Sequence, residues 1–265
     1  MERIYKYPRT QHIEGSRFQD GDEDLESIKF EKIKNKFCVI EEKVDGANVG
    51  VSFDANGKMY LQSRGHFLNG GYGESQFDLF KTWTNSYSYT LRELLGDRYV
   101  MYGEWLYAKH TVFYDNLNHY FMEFDIFDKV EEKFLSTKRR REFLKDYNFI
   151  KSVLVLKETI VSSKGEIVEL LGKSHFKTKN WREKLNESCI ELGLSYELAK
   201  KQTDVTDLME GLYIKIEDEN YVLDRMKYVR ASFLNTIMDS ETHWANRPII
   251  PNQLNDEIDL FCEEG

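Results

Sequence analysis

With 265 residues, the chain is long enough for one large domain or two small ones. Hydrophobic residues make up 41% of it and charged residues 31%, which excludes a disordered or collagen-like protein, and no apolar run approaches the roughly 18 residues of a membrane-spanning helix. The net charge of −9 argues against a passive coat for nucleic acid, although an acidic body still accommodates a local basic groove.

The opening residues and the cysteines indicate the cellular compartment. Residues 1–8 lack the apolar segment of a secretory signal. The three cysteines, Cys38, Cys189 and Cys262, are odd in number and far apart, which fits neither a disulfide framework nor a zinc site. We therefore expect a cytoplasmic protein with no membrane association.

Strand signals dominate the first half of the chain. Segments rich in β-forming residues lie at 37–43, 48–53, 59–62, 98–105 and 119–127. Asn56 and Gly57 stand between the second and third of these segments and predict a β-hairpin. Helices are predicted over 77–95, which ends at the capping residue Gly96, and from Ser136 to Leu144, which begins like a capped helix.

After the strand-rich first half of the chain, residues 177–209 have a helical pattern, and we predict a helical insertion there. Asn180 and Glu183 have the spacing of a capping box, in which two side chains bond the first turn of a helix. Leu185, Ser188, Cys189 and Leu192 share one face of the helix that would follow.

The strands return after this insertion. Segments 211–217 and 221–229 are predicted to pair as a hairpin, and residues 236–265 form a short tail. Together the elements predict an α+β fold, in which helices surround a mostly antiparallel sheet. Because no repeat, low-complexity tract or linker divides the chain, we predict a single domain over 1–265, with its core at about 30–235.

The segment from Glu41 to Asn48 carries the most informative chemistry. Lys43 and Asp45 project to the same face of an extended strand, and Gly46 allows a sharp turn toward the next one. A lysine beside a carboxylate is most often a salt bridge. The alternative is a nucleophilic lysine, which requires nearby cations or a metal to depress the amine pKa from its free value of about 10.4.

Further segments complete a set of motifs in a fixed order. The motifs are Lys43-Val-Asp-Gly46, Ser63-Arg64-Gly65, Tyr102-Gly-Glu-Trp105, Phe121-Met-Glu-Phe-Asp125, Glu210-Gly-Leu-Tyr-Ile-Lys215 and Arg225-Met-Lys227. In this order they resemble the ATP-dependent RNA ligases, which belong with DNA ligases and mRNA capping enzymes to the covalent nucleotidyltransferases. The resemblance covers about residues 38–230 and implies an ATP-grasp-like adenylation domain.

The resemblance implies roles for the matching residues. Lys43 would attack the α-phosphorus of ATP and carry AMP, with Mg²⁺ or Mn²⁺ as the metal. Glu210 and Glu104 offer the hard oxygen ligands that such a metal prefers, and Glu104 would also hold the ribose hydroxyls. Phe124 would stack on adenine. Further nucleotide contacts are expected from Glu42, Val44, Asn48, Arg64, Lys215, Arg225 and Lys227.

Within this last group, the expected contacts differ. The backbone around Glu42 would contact the edge of the base, and Asn48 and Arg64 would hold sugar and phosphate. Lys215 and Lys227 would contact the α-phosphate and help to depress the pKa of Lys43.

Two departures favour RNA ligases over their relatives. Asn48 stands five residues after Lys43, where DNA ligases and capping enzymes carry arginine. The 35 residues after Arg230 are too few for the oligonucleotide-binding barrel of those enzymes. A third departure is Arg225, which replaces the usual lysine and keeps its charge with a different geometry.

The predicted function is therefore ATP-dependent RNA ligation. AMP would pass from Lys43 to the 5′-phosphate of one RNA end, which a 3′-hydroxyl would then attack. One alternative is a ligase for DNA or mixed nicks, and another is a nucleic-acid- or ATP-binding module with a degenerate site. The lysines of the motifs and the two glutamates, Glu104 and Glu210, are all present, which argues against a degenerate site.

The sequence leaves open which part of the protein would hold the RNA. Arg17, the pair His243 and Trp244, and the helical insertion are possible contacts. An RNA end-healing partner protein is an equal alternative. The basic run 138–141 is more typical of a solvated helix face than of an RNA-binding surface.

Overall fold

Two β-sheets face each other in the structure, a computed structural model that describes residues 3–16, 27–71, 73–233, 236 and 247–261. The strands are β1 (Gln11–His12), β2 (Phe37–Lys43), β3 (Ala47–Phe53), β4 (Met59–Ser63), β5 (Tyr99–Trp105), β6 (Phe121–Asp128), β7 (Lys133–Phe134), β8 (Lys151–Ser152), β9 (Val155–Ile160), β10 (Gly211–Glu217) and β11 (Val222–Val229). The helices are α1 (Asp78–Ser86), α2 (Ser88–Leu95), α3 (Thr137–Leu144), α4 (Lys164–Val168), α5 (Trp181–Glu191) and α6 (Tyr196–Lys201).

The first sheet has the strand order β1-β11-β10-β2-β9 and is antiparallel except for the parallel pair β1 and β11. The second sheet has the order β4-β3-β5-β6-β7, all antiparallel, with β8 parallel to β6. The mostly antiparallel α+β architecture predicted from the sequence is therefore confirmed. Within the described residues, no helix has the length and apolar character that crossing a membrane requires.

Side chains alternate between the two faces of the first sheet. On the outer face, Ile40, Leu212 and Ile214 belong to an apolar core that Ile33 and Val161 help to close. The inner face carries charge, because register places its ionisable side chains on one side of the sheet. These side chains are Glu41, Lys43, Lys215, Arg225 and Lys227. The charged face is turned toward the second sheet.

The second sheet carries helices on its outer face. There Val51 and Met101 pack with Phe80 and Trp83 of α1 in a separate apolar core. The sequence predicts one helix over 77–95, whereas the structure has two, because the chain leaves helical geometry at Tyr87. The Tyr87 ring stacks on Phe149 at 4.3 Å between centroids, a contact that fixes the break. The predicted capping residue Gly96 ends α2 with a φ of +52°.

Residues 177–209 contain α5 and α6, so the predicted helices are present. The predicted capping box is wrong, because Asn180 lies at the helix start but its side chain makes no capping hydrogen bond. Leu185, Ser188 and Cys189 are buried on one helix face, as the spacing predicts, and Leu185 and Cys189 join a small core with Phe113. Leu192 is wrongly included in that face, because α5 ends at Glu191 and the Leu192 side chain is exposed. That this segment is an insertion stays a prediction, as does the single domain.

Other local predictions concern turns and substrate contacts. The hairpin between β3 and β4 is confirmed, and Gly57 adopts the positive φ of +79° that its turn requires. The hairpin of β10 and β11 is also confirmed. Arg17, His243 and Trp244 lie outside the described residues.

Candidate active site

Lys43 and Glu210 meet at one end of the first sheet. The Lys43 amine donates a hydrogen bond to Glu210 Oε2 at 2.8 Å, and the Glu210 side chain is only 1% exposed. The contact follows from strand register, because Lys43 at the end of β2 lies opposite Gly211, the residue after Glu210. A glycine is required there, since a Cβ on Gly211 would lie 2.0 Å from the Tyr228 carbonyl oxygen.

The charge balance around Lys43 is dominated by carboxylates. Removal of the amine from water lowers its pKa, but the charges of Glu210 and Glu104 outweigh this effect and raise it. The sequence predicts a depressed pKa for this lysine, and in this structure the balance is the opposite. The amine is therefore held as a cation by its acidic neighbours.

Glu104 and Glu210 are carboxylates crowded together at the end of the cleft. Burial raises the pKa of each to about 7, and the charge of Lys43 opposes the rise. The charge of Asp45 also raises both pKa values, and that of Glu210 raises the pKa of Glu104. Surplus negative charge on hard oxygen atoms fits a divalent cation. Among the described residues no three acidic, histidine or cysteine side chains form a metal cluster, so such a cation would also need phosphate oxygens or water as ligands.

The loop after Lys43 is tied to a segment far along the chain. Asp45 Oδ2 accepts hydrogen bonds from the backbone N–H groups of Thr111 and Val112, both at 2.7 Å. The backbone N–H of Asp45 donates to the Tyr114 hydroxyl at 2.9 Å. Asp45 thus anchors the loop that follows Lys43, a role that sequence spacing does not reveal because its partners lie in an irregular segment.

Gly46 brings this loop against β5. Its backbone N–H donates to Glu104 Oε1 at 3.1 Å, and a Cβ at Gly46 would lie 2.6 Å from the Trp105 carbonyl oxygen. The sequence predicts that this glycine serves a sharp turn. The chain does bend at Gly46 between β2 and β3, and the glycine also permits a close approach to β5, which sets Glu104 beside the loop.

Asn48 and Arg64 lie near Glu104 on the second sheet. Asn48 on β3 is directly opposite Glu104 on β5, so the two side chains share the inner face. The buried Oδ1 of Asn48 accepts no hydrogen bond from the described residues. Arg64 is exposed, and its charge acts to lower the pKa of Glu104, which places it at the same rim.

Three other predicted residues surround the end of β2. Lys227 is buried on the inner face, and its charge acts to lower the pKa of Glu210. Val44 is buried in an apolar cluster between the sheets. Glu42 points to the opposite face, where its carboxylate accepts a hydrogen bond from the Ser174 hydroxyl at 2.6 Å.

Lys215 and Arg225 lie farther along the same face, away from Lys43. The Lys215 amine donates to Glu41 Oε1 at 3.0 Å and lies 3.3 Å from Asp125 Oδ1. Arg225 NH1 lies 3.5 Å from Asp125 Oδ2, with its guanidinium over the Phe134 ring at 3.8 Å. The structure therefore engages both cations with Asp125, and their predicted nucleotide contacts stay a prediction.

Arg140 completes this buried ionic network. The run 138–141 lies in α3, whose predicted cap is confirmed by Ser136, but Arg140 turns inward and is only 2% exposed. It lies 3.2 Å from Glu123 and 3.5 Å from Glu41. A sign of it in the sequence is Glu41 itself, an acidic residue directly after the apolar residues 38–40 of β2.

Phe124 lies between the two ends of the cleft. Tyr102 pairs with Asp125 and Gly103 pairs with Glu123, so Phe124 is the extra residue of a β-bulge in β6. Its half-buried ring borders two apolar clusters of the cleft. A bulge re-aims a side chain relative to the regular alternation, and here it turns this ring into the cleft.

Comparison with known protein families identifies the family of this chain. Residues 36–229, most of the chain, match the family model described as RNA ligase. The chain belongs to the RNA ligase family. The resemblance drawn from the motifs is thereby confirmed. A search of curated proteins finds no match.

Solved structures of another RNA ligase share the fold of this family member. A Naegleria gruberi RNA ligase variant with ATP and Mn matches with a TM-score of 0.54 and 14% identity, over 88% of this chain and 58% of that one. The same ligase with PPi matches with a TM-score of 0.55 and 15% identity, over 89% and 58%. A variant with AMP and Mn gives 0.53 and 14%, over 89% and 59%. This chain thus spans less than two thirds of the length of those ligases.

Proposed function

We propose that the protein is an ATP-dependent RNA ligase that carries AMP covalently on Lys43. The observation that carries the proposal is the Lys43 amine held 2.8 Å from Glu210, with Glu104 beside it. The amine would lose a proton and form a P–N bond with the α-phosphorus as the P–O bond to pyrophosphate breaks. A 5′-phosphate oxygen of RNA would then displace the lysine. Finally, a 3′-hydroxyl would attack the 5′-phosphorus, forming a phosphodiester and releasing AMP.

The two glutamates link the protonation state of the amine to metal binding. With no metal bound, their negative charges keep Lys43 protonated. A divalent cation, Mg²⁺ or Mn²⁺, bound by Glu104 and Glu210 would neutralise that charge and attract the phosphates of ATP. Among the three nearby carboxylates, only Asp45 would then still act to raise the Lys43 pKa, and removal from water, the largest influence, would lower it. In this proposal, the amine is protonated in the empty site and loses its proton when the metal and ATP bind.

The remaining nucleotide contacts would come from both sheets. In this proposal, Asn48, Arg64 and Glu104 hold the ribose and phosphates, and Phe124 stacks on adenine. Lys227, the inner-face cation whose charge acts on Glu210, would contact the α-phosphate.

Four other residues would have supporting roles. The backbone at Glu42 and Val44 would lie beside the base. Lys215 and Arg225 would contact phosphate oxygens of the nucleotide, in exchange for part of their present bonding to Asp125.

The solved relatives support the choice of nucleotide and metal. The Naegleria gruberi RNA ligase is described with ATP and Mn, with AMP and Mn, and with PPi. These are the substrate, the transferred group and the leaving group of the first proposed step. Both carboxylates that would hold the cation here have hard oxygen atoms, the kind of ligand that Mn²⁺ and Mg²⁺ prefer.

Covalent labelling tests the proposal most directly. The protein is incubated with ATP labelled at the α-phosphorus and Mg²⁺ or Mn²⁺, and denatured before electrophoresis. We expect a labelled band that acid releases and that inorganic pyrophosphate reverses, because the phosphoramidate bond is acid-labile. Label that dissociates on denaturation would instead identify an ATP-binding module without ligase chemistry.

The proposed substrate is RNA with 5′-phosphate and 3′-hydroxyl ends, supplied where needed by an end-healing partner protein. Membership of the RNA ligase family supports RNA, and Asn48 on the inner face follows the RNA ligase pattern. Nicked duplexes with ribose or deoxyribose on each side of the nick test this choice, since 2′-hydroxyl contacts distinguish RNA from DNA. Faster sealing of an all-deoxyribose 3′-hydroxyl strand would favour the DNA-nick alternative.

A further inference from the structure

The segment 5–10 crosses between the two sheets and contacts both. On the second sheet, the Tyr102 hydroxyl donates to the Tyr5 carbonyl oxygen at 2.6 Å. On the first sheet, the hydroxyls of Thr10 and Tyr213 lie 2.8 Å apart. The chain then continues into β1, which pairs with β11. This segment therefore ties one sheet to the other.

Tyr7 lies at the centre of the segment and is buried. Its hydroxyl donates to Asp125 Oδ2 at 2.5 Å and lies 2.7 Å from the Tyr213 hydroxyl. A phenol has one proton, so Tyr213 must donate to Tyr7, and Thr10 must donate to Tyr213. The result is a directed chain of hydrogen bonds from Thr10 to the Asp125 carboxylate. Burial and the charge of Asp125 raise the pKa of Tyr7 well above its usual range, so this chain persists at physiological pH.

The ring of Tyr7 also fixes the position of Phe124. Their centroids lie 5.1 Å apart with planes at 74°, an edge-to-face contact. Tyr102 and Phe134 contact the same ring edge-on at 5.2 Å and 5.6 Å. Because Phe124 is an extra residue in its strand and lacks a direct partner in the ladder, its ring depends on such neighbours for its orientation.

We propose that Tyr7 is a positioning residue for the nucleobase, holding the Phe124 ring where adenine stacks and fixing the spacing of the two sheets there. The proposal rests on the assignment of Phe124 to adenine in the proposed function. It gives segment 5–10 a part in nucleotide binding that none of the six motifs includes. Tyr7 itself touches Phe124 and the hydrogen-bond chain, and acts on the nucleotide through them.

Binding measurements in a chain that cannot be adenylated test this role. ATP binding to Lys43→Ala is compared by titration calorimetry with binding to Lys43→Ala carrying Tyr7→Phe, which removes only the hydroxyl. We expect the Kd for ATP to rise about tenfold, the loss typical of one charge-assisted hydrogen bond. Binding of tripolyphosphate, which has no base, should stay within about twofold. An unchanged Kd for ATP, or an equal loss for tripolyphosphate, overturns the proposal.

Matched variants separate positioning from general stability. Tyr120→Phe removes another phenol, one that donates to the Asn252 carbonyl oxygen at 2.7 Å, and should leave the Kd for ATP unchanged. Thr10→Val cuts the far end of the hydrogen-bond chain with little change in shape. It should weaken ATP binding about threefold and spare tripolyphosphate, which keeps the test valid should Tyr7→Phe fail to fold. ATP affinity that falls equally in Tyr120→Phe would overturn the proposal.

A double variant tests whether Tyr7 acts through Phe124. In the presence of Phe124→Leu, adding Tyr7→Phe should change the Kd for ATP by less than about twofold, because coupled residues are not additive. Independent, multiplying losses would contradict the mechanism. Since no covalent step enters these measurements, a native chain that binds ATP but forms no adduct contradicts the proposed function alone. A Lys43→Ala chain that binds no ATP contradicts this proposal as well.

Discussion

The amine of Lys43 and the carboxylate of Glu210 are 2.8 Å apart across the pair of strands β2 and β10, although 167 residues separate them in the chain. Lys43 is the last residue of β2, and Glu210 directly precedes β10. A lysine held this way is protonated and fixed in direction. If Lys43 is the nucleophile, as proposed, the same carboxylate that orients the amine also keeps it protonated until the negative charge is offset.

Replacement of Lys43 by alanine should abolish covalent labelling with AMP while leaving the fold and ATP binding in place. Lys43→Arg should be equally inactive, because a guanidinium stays protonated and cannot attack phosphorus. Denaturing electrophoresis after incubation with ATP labelled at the α-phosphorus measures the covalent adduct. The control is Lys157→Ala, an exposed lysine of β9, which should label normally. An adduct that persists in Lys43→Ala would show that another residue is the nucleophile.

Glu210→Gln should reduce the rate of adenylation by at least about 10²-fold, as loss of one preorganised charged group commonly does. Glutamine keeps the shape but neither holds the Lys43 cation nor binds metal through two hard oxygens. The rate is measured by quenched labelling at saturating ATP. Glu158→Gln, which affects an exposed pair with Arg141, serves as the control. Near-normal labelling of Glu210→Gln would reduce that residue to a structural role.

Metal binding should depend on pH near neutrality. Because the pKa values of Glu104 and Glu210 are raised to about 7, protons compete with a cation below that pH. Affinity for Mn²⁺ in the presence of ATP should therefore rise with pH through neutrality and level off above it. Calorimetric titration at several pH values measures this. In Glu104→Gln both the affinity and its pH dependence should fall; an unchanged pH profile would exclude that carboxylate as a ligand.

Arg140→Met should destabilise the protein by about 3–5 kcal/mol, because it leaves buried carboxylates without their cation. Arg140 lies between Glu41 and Glu123, both almost fully buried. Urea unfolding measures the free energy. Arg141→Met, next to it on α3 but exposed, should change stability little. Equal effects of the two substitutions would contradict the buried network.

The candidate active site was accessible to sequence analysis because its residues stand near strand ends in recognisable motifs. Lys43, Glu104 and Glu210 are of this kind. The register that joins β2 to β10 is a long-range property, so the Lys43–Glu210 contact itself was not predictable.

The other end of the cleft could not be predicted for a related reason. Lys215 bonds Glu41, which lies 174 residues away, and Tyr7 bonds Asp125, which lies 118 residues away. No local sequence pattern indicates partners so far apart in the chain. A lysine in a motif is therefore expected to contact substrate unless the structure shows a buried carboxylate beside it. Helix boundaries failed for a smaller reason: the packing of Tyr87 against Phe149 breaks an otherwise continuous helical pattern.

The two large apolar cores lie on the outer faces of the two sheets, and ionic and hydrogen-bonded contacts hold much of the cleft between them. The contacts that join the two sheets are of another kind: buried ion pairs, the segment 5–10 and a smaller apolar cluster that includes Val44, Met122 and Val229. Each sheet therefore keeps its own large core whatever the cleft holds, and substitutions of the cleft's charged residues act on the junction between the sheets rather than on the sheets themselves.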